Sequence, residues 1–219
     1  MFNVIRTYPA PSSLSLKKEY ADKDVVEELQ KIFYDKCYLC EDKEPISLNV
    51  EHFDPHKGDE TKKFDWDNLY YVCARCNNLK LAKYNDLIDC TDPKYDVFKL
   101  IKHLPPLTPY QKKLIIEATS KDKKVQNTAA LLELIFNTDH TINKKITGTY
   151  LRKKVFKKYN RFMELVNIYF DDESSKTKKD DALERLQVLM ERKQEFSAFI
   201  RWIVLEDEKL NPLLVPYMD

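Results

Sequence analysis

The sequence predicts an α+β protein that is mainly helical, with a small ββα finger joined to a larger helical region. Only two glycines, Gly58 and Gly148, occur in 219 residues, whereas average usage would give roughly 15. So few glycines argue against an all-β fold rich in hairpins. Residues 47–53 alternate in polarity as a strand does, and the second half of the chain repeats apolar residues at the three-to-four spacing of helices.

The composition excludes several classes of protein. The chain carries 37 Lys and Arg against 36 Asp and Glu, a net charge of +1, and 43% hydrophobic residues. This balance argues against a protein coated in nucleic acid, so any nucleic-acid contact needs locally gathered basic groups or a partner. The N-terminus lacks the apolar stretch of a signal peptide, and no run reaches the ~18 apolar residues of a membrane span. We therefore expect a cytoplasmic protein, in which disulfides are rare.

The first half of the chain is predicted to contain, in order, an arm, a helix, two strands and a second helix. Residues 1–33 form an N-terminal arm with a lead-in helix, because apolar residues of the segment 23–35 share one helical side. A strand at residues 47–53 is followed by a polar loop and a second short strand near residues 69–72. The stretch after Cys76 then turns into a helix.

Residues 96–219 are predicted to form a helical C-terminal region. The segment 86–108 is interpreted as a loop, and a helix is expected to start at Thr108, because Thr at the N-cap with Pro at the first helical position is a good start signal. Three further helices are expected, with a polar linker at 171–179 before the last: residues 125–136, 150–170 and 181–205.

Two Cys-x-x-Cys pairs occur in the first half of the chain: Cys37 and Cys40, then Cys73 and Cys76. Four thiolates can complete one tetrahedral structural zinc site with no open position. The 32 residues between the pairs, 41–72, exceed the about 15–20 of a simple zinc ribbon. We expect this zinc to hold the two ends of the finger together; two structural disulfides are the alternative. Cys90 is interpreted as a buried, inert cysteine.

Residues between and just after the pairs are suited to hydrolysis of a phosphodiester. His52 can act as general base, because a neutral imidazole near pH 7 accepts a proton. Glu51 and Asn77 offer hard oxygen ligands for Mg²⁺ or Mn²⁺. Adjacent strand residues point to opposite faces. Glu51 and His52 therefore share one cleft only if the strand twists or ends there; otherwise Glu51 is not a ligand.

The sequence resembles the HNH, or ββα-metal, endonucleases over about residues 34–90, and this resemblance implies a nuclease core at residues 34–95. Four elements carry it, in the family's order: Cys37-x-x-Cys40, Val-Glu51-His52-Phe-x-Pro55, Asp67-Asn68-Leu, and Cys73-x-x-Cys76-Asn77-x-x-Lys80. The usual pattern has His after the last cysteine. Asn77 stands there in this chain, as it does in phage junction resolvases of the endonuclease VII type.

The resemblance also implies roles for individual residues. His52 would activate water, while Glu51 and Asn77 would hold the catalytic divalent cation. Asn68 would brace the loop that carries the base; an ordinary turn asparagine is the alternative. His56 is a candidate to assist with phosphate or metal; the alternative is an ordinary exposed histidine in a loop.

Two groups of basic residues are candidates for nucleic-acid binding, which makes DNA the expected substrate. Lys80 and Lys83 lie near the start of the predicted helix, whose N-terminus favours anions. The helix at 150–170 carries basic residues spaced to line one face along a DNA backbone, although a solvated helix face is the alternative: Lys154, Lys157, Lys158 and Arg161.

The layout of the whole chain resembles, more weakly, the PtuB-like HNH nucleases of Septu and retron-linked anti-phage systems. This likeness rests on the Glu51-His52-Phe-x-Pro box, the Asn77-Asn-Leu-Lys80 run and the Asp-Cys-Thr-Asp-Pro stretch at 89–93. It implies a defence role and a PtuA-like ATPase partner. Two other interpretations stay open: a zinc-finger module that binds DNA or protein and cuts nothing, and a stand-alone HNH restriction nuclease or toxin.

Overall fold

The computed structural model describes residues 1–45, 47–81, 84–139 and 147–219. It confirms the α+β, mainly helical class. Its α-helices are α1 (Lys23–Ile32), α2 (Glu60–Lys63), α3 (Ala74–Lys80), α4 (Val97–Leu100), α5 (Lys123–Asn137), α6 (Gly148–Phe170), α7 (Lys176–Leu189), α8 (Ser197–Glu206) and α9 (Leu210–Leu214). Its strands are β1 (Leu48–His52), β2 (Leu69–Cys73), β3 (Ile101–Leu104) and β4 (Ile115–Ala118), and short 3₁₀ helices lie at Ser12–Leu16, Trp66–Asn68 and Val215–Tyr217.

The finger has the predicted order of two strands and a helix. Strands β1 and β2 pair antiparallel, with Glu51 opposite Tyr70 and His52 opposite Leu69. Every residue of β2 is buried, so this strand forms the centre of the finger. Helix α3 follows β2 directly, because the Cys73 side chain caps it by accepting a hydrogen bond from the Cys76 backbone N–H. The helix therefore begins at Ala74, slightly before the predicted turn at Cys76.

The loop predicted at 86–108 is wrong for residues 97–104, and the helix predicted from Thr108 is wrong. This part of the chain contains α4 and an antiparallel hairpin of β3 and β4, with Ile101 opposite Ala118. Each strand has four residues, which is too short for polar alternation to stand out in the sequence. Thr108 and its proline lie in the connection between the strands and not at a helix start.

The single helix predicted at 181–205 is also wrong, because the chain breaks between α7 and α8. Phe196, at the start of α8, adopts a left-handed backbone conformation with φ of 54°. The break leaves backbone carbonyls without partners inside a helix. The Lys36 ammonium donates hydrogen bonds to two of them, at Arg192 (2.6 Å) and Gln194 (2.9 Å). Since buried carbonyls need partners, a residue from the distant finger stabilises this break.

The hydrophobic core joins the three predicted segments of the chain. One cluster of buried side chains includes Phe2 from the arm, Val72 from the finger and Phe199 from α8. A second, smaller cluster lies among α6, α7, α8 and α9. The domain boundaries at 33 and 95 stay predictions. Among the described helices, none combines the length and apolar character that crossing a membrane requires.

A buried carboxylate connects the first cysteine pair to α8. Glu41 is 1% exposed and accepts hydrogen bonds from the Lys36 ammonium (3.3 Å) and the Ser197 hydroxyl (3.0 Å). It also pairs with the amino group of Met1 at 2.7 Å. Lys36 is itself fully buried, so these cations have little water to solvate them.

We expect Glu41→Gln to lower the free energy of unfolding by about 3 kcal/mol, because it leaves buried cations without their anion. Urea denaturation at constant zinc concentration measures this change. Glu44→Gln is the matched control, since Glu44 lies nearby but is exposed. Equal unfolding midpoints for the two variants would contradict the prediction.

Candidate active site

The four cysteines of the two pairs form one compact, buried cluster. Their sulfur atoms all lie within 4.8 Å of one another, and the sulfurs of Cys40 and Cys73 are 3.9 Å apart. Sulfurs bound tetrahedrally at about 2.3 Å from zinc stand roughly 3.8 Å from each other, so the cluster fits that ion. All five cysteines of the chain are free thiols. The cluster can therefore hold a metal ion at the junction of the two ends of the finger.

A groove of about 310 Å³ runs along the end of β1 and the side of α3. Five of the predicted site residues line it together with Tyr20: Glu51, His52, His56, Asn77 and Lys80. Glu51 and His52 both line this groove although they are neighbours in β1 and both still pair with β2. The strand ends at His52.

A hydrogen bond to one ring nitrogen of His52 leaves the other ring nitrogen free to accept a proton. Its Nε2 atom lies 3.0 Å from the Lys63 carbonyl oxygen. A carbonyl only accepts hydrogen bonds, so Nε2 must carry the proton and Nδ1 the lone pair. Burial lowers the pKa of His52, and the nearby His56 and Lys80 lower it further, while the Lys63 hydrogen bond opposes them. The imidazole is therefore neutral near pH 7.

Asn68 fastens the loop that follows β1. Its side-chain oxygen accepts a hydrogen bond from the Asp54 backbone N–H at 2.7 Å. Its amide nitrogen donates to the Asp54 carbonyl at 2.8 Å and to the Lys62 carbonyl at 3.1 Å. The side chain is thus bonded next to Lys63, whose carbonyl holds His52. This geometry suits the bracing role that the HNH resemblance implies, and it places Asn68 behind the groove.

Glu51 is buried beneath the groove with two polar partners. It is 5% exposed, the Tyr38 hydroxyl donates to its Oε1, and the Lys80 ammonium lies 3.6 Å from its Oε2. Burial raises the pKa of Glu51 to about 7, while Lys80 and Tyr38 act in the opposite direction. Lys80 is 2% exposed and also donates to the carbonyls of His52 (3.2 Å) and Phe53 (3.0 Å). Its ammonium is therefore committed to protein atoms at the end of β1.

The remaining candidates differ in their exposure. Asn77 lies in α3 and is partly exposed toward the groove. His56 lies in the loop after β1, and its ring centroid is 4.6 Å from that of His52. Lys83 lies outside the described residues. His103 is fully buried, with its Nδ1 bonded to the Ile101 carbonyl at 2.9 Å.

The basic stripe on α6 is not uniform. Lys154 pairs with the Asp42 carboxylate and, at 2.7 Å, with Glu195. Asp42 belongs to the finger and Glu195 to the segment before α8. These two carboxylates neutralise the charge of Lys154. The other basic side chains of the stripe remain at least partly exposed: Lys157, Lys158 and Arg161.

Three residues of the site carry no recognisable signal in the sequence. Lys63 contributes only a backbone carbonyl to His52, which any residue type could supply. Tyr38 lies between two cysteines and bonds to Glu51 from there. Tyr20 belongs to a polar stretch of the arm, yet its ring packs against His52. Sequence reasoning missed all three, because their partners are distant along the chain.

Comparison with known proteins assigns a domain to this site. Residues 37–83 match the family model described as HNH endonuclease. The matched segment includes both cysteine pairs and the groove candidates between and after them: Glu51, His52, His56, Asn77 and Lys80. No curated protein matches the chain. The HNH resemblance expected from the sequence motifs is confirmed, and an HNH endonuclease domain indicates a nuclease.

Proposed function

We propose that this chain is a metal-dependent HNH endonuclease that hydrolyses phosphodiester bonds of DNA. The observation that carries the proposal is the groove in which His52, Glu51 and Asn77 converge. The three side chains come from the end of β1 and from α3, inside the segment that matches the HNH family. They comprise a neutral imidazole and two oxygen donors, the set that hydrolysis of a phosphodiester requires.

His52 acts as the general base in this proposal. Its Nε2–H is held by the Lys63 carbonyl, so Nδ1 takes the proton of the attacking water. Asn68 keeps that carbonyl in place by closing the loop beside it. The ring centroids of His56 and His52 are 4.6 Å apart, and His56 is proposed to assist with the phosphate.

Glu51 and Asn77 are the residues that would hold the catalytic cation, Mg²⁺ or Mn²⁺. Their oxygens are hard ligands, and Mg²⁺ commonly uses only one or two protein ligands with water and substrate phosphate completing its shell. A bound cation would stabilise the negative charge that develops on the scissile phosphate. Lys80 supports this arrangement, because an ammonium 3.6 Å from Glu51 favours the ionised carboxylate. The four cysteines are proposed to bind a separate, structural zinc ion.

We further propose a cytoplasmic role in defence against foreign DNA with a PtuA-like ATPase partner. Support comes from the sequence motifs that resemble PtuB-like nucleases. Affinity capture of the chain from its native host tests the partnership. Recovery without an ATPase would favour a stand-alone HNH restriction nuclease or toxin.

One observation favours a second function, a zinc-finger module that binds DNA or protein without cutting. Both carboxylate oxygens of Glu51 already have protein partners, the Tyr38 hydroxyl and the Lys80 ammonium. A carboxylate with that arrangement also suits a purely structural role in a buried network.

Cleavage of supercoiled plasmid separates the two functions. We expect wild-type protein to nick the plasmid when Mg²⁺ or Mn²⁺ is added and not when it is omitted. Asn77→Ala should lose activity, whereas Asn78→Ala should keep it, because Asn78 is the exposed neighbour of Asn77 on α3 and is not among the residues that line the groove. A wild-type protein that stays inert with every metal, with and without a co-purified ATPase, would support the binding module.

The exposed basic residues of α6 are proposed to contact the DNA backbone together with Lys83, whereas Lys80 and Lys154 are engaged by protein groups. We expect the triple change Lys157→Ala, Lys158→Ala and Arg161→Ala to weaken binding equally for all DNA sequences. The slope of the logarithm of the binding constant against the logarithm of the salt concentration should become shallower. The change should be about 0.9 for each DNA phosphate that the variant no longer neutralises. Fluorescence anisotropy over a salt series measures both effects. Lys154 is left unchanged, because its ion pairs hold α6 to the finger.

A triple change on another helix controls for net charge in this experiment. Replacing the three lysines in the first turns of the neighbouring helix α7 by Ala removes the same charge without changing the α6 stripe: Lys176, Lys178 and Lys179. If both triple variants change the salt dependence equally, the α6 stripe has no specific role.

A further inference from the structure

We infer that the N-terminal arm is part of the active site and that Tyr20 is a positioning residue for the His52 imidazole. This inference rests on the proposed nuclease function. Tyr20 lies outside the matched segment 37–83, yet it lines the same groove as His52 and Asn77.

The arm holds Tyr20 in a defined place. Ser13 donates two hydrogen bonds to the Asp24 carboxylate, from its backbone N–H (3.1 Å) and its hydroxyl (2.5 Å). Asp24 belongs to the first turn of α1, so residues 13–24 form a loop that is closed at its base against a helix. Leu14 is buried, and the Tyr20 ring packs against the main hydrophobic core. Both ends of the loop are therefore fixed, and Tyr20 lies close to one of them.

The ring of His52 is contacted on two sides. Its centroid lies 4.6 Å from that of Tyr20, with the ring planes inclined at 60°, within the range of favourable aromatic pairs. The His56 centroid is also 4.6 Å away. His56, however, belongs to the polar loop after β1, where its Nδ1 atom accepts a hydrogen bond from the Gly58 N–H. Tyr20 is thus the neighbour of His52 that is attached to the hydrophobic core.

These contacts determine the direction of the His52 lone pair. The single hydrogen bond from Nε2 to the Lys63 carbonyl fixes one atom of the ring, but it still allows the ring plane to tilt about that bond. Packing against Tyr20 restricts the tilt, so the direction of Nδ1 depends on the arm. Because misplacing a catalytic group by about 1 Å can reduce the rate about 100-fold, removing the Tyr20 ring should slow the chemical step.

The variants Tyr20→Leu and Tyr20→Phe test the inference. Leucine keeps an apolar side chain in the core but removes the aromatic ring, whereas phenylalanine keeps the ring. We expect Tyr20→Leu to lower kcat about 10- to 100-fold with KM and DNA affinity unchanged. Tyr20→Phe should stay within about 3-fold of wild type, because the contact is made by the ring. Leu16→Ala is the matched control, since Leu16 is in the same loop but is 66% exposed.

A second readout does not depend on cleavage. Nitrogen-15 NMR at fixed pH distinguishes the two neutral forms of His52, and wild type should show the form protonated at Nε2. A ring that is no longer packed in place should bond more weakly to the Lys63 carbonyl, which favours the Nε2 form, so Tyr20→Leu should mix in the form protonated at Nδ1. Tyr20→Phe should not. If wild type fails to cut DNA, the nuclease proposal fails while this measurement still tests the positioning of His52.

The inference is overturned if Tyr20→Leu cleaves as fast as Leu16→Ala, or if Tyr20→Phe is as slow as Tyr20→Leu. A Tyr20→Leu protein with a lower Tm but an unchanged kcat and NMR spectrum would also overturn it, because the residue would then serve stability alone.

Discussion

Changing His52 to Ala should lower the rate of DNA cleavage by about 10²- to 10⁴-fold, the usual contribution of a general base. Nδ1 is the ring atom left free to accept a proton, since Nε2 is bonded to the Lys63 carbonyl. Burial also lowers the pKa of His52, which keeps the base in its reactive form at neutral pH. Single-turnover cleavage of supercoiled plasmid, with metal and enzyme in excess, measures the effect on the chemical step.

His56→Ala is the informative comparison for this experiment, because His56 lines the same groove and its ring lies against that of His52. We expect its effect to be smaller, since an assisting contact with phosphate does not remove the base. DNA binding without added metal should be the same for both variants and the wild type. If His56→Ala is as inactive as His52→Ala, or if His52→Ala still cleaves at the wild-type rate, His52 is not the base.

The second large effect should come from removing a cysteine of the cluster. Structural zinc contributes an apparent 10–16 kcal/mol in small zinc-finger peptides, which matches or exceeds the whole stability of a typical domain, about 5–15 kcal/mol. We therefore expect Cys40→Ala to lose its zinc and to unfold the finger. Because β1 and α3 carry the groove, plasmid cleavage should be lost as well. Zinc content by mass spectrometry and thermal unfolding by circular dichroism measure the two steps.

Cys90→Ser provides the control for this change. Cys90 is also fully buried, but it is not part of the four-cysteine cluster. Its variant should keep one zinc ion per chain, even if its Tm falls. A Cys40→Ala protein with a full equivalent of zinc and the wild-type Tm would show that the cluster is not a zinc site.

The part of the site that sequence could predict is the part whose residues lie in short motifs. The cysteine pairs, the Glu51-His52 box and Asn77 are each recognisable by residue type and spacing. Their order along a ββα finger is enough to bring them together, because two short strands and one helix leave little freedom of arrangement. Glu51, His52 and Asn77 line one groove, and the four cysteines form a separate buried cluster.

The parts that sequence could not predict depend on partners far along the chain. Lys154 was expected to face DNA, but its carboxylate partner Asp42 lies 112 residues away. The break between α7 and α8 is stabilised by Lys36, more than 150 residues earlier. The five polar residues 191–195 interrupt the apolar spacing of 181–205, but a polar run by itself does not show whether a helix ends there. The spacing of apolar residues along a segment indicates only which face of that segment is buried. It does not indicate which other segment packs against that face.

The bond between Lys36 and the carbonyls before α8 has a consequence for how this protein can be divided or recombined. A finger cut out at residues 34–95 would carry a buried ammonium with no acceptors from the tail, and the tail would keep carbonyls with no donor. We therefore expect that the finger does not fold on its own without the tail. A chimera that joins this finger to a foreign tail must also transplant the segment 190–197, or replace Lys36 and Glu41 together by an apolar pair of similar volume.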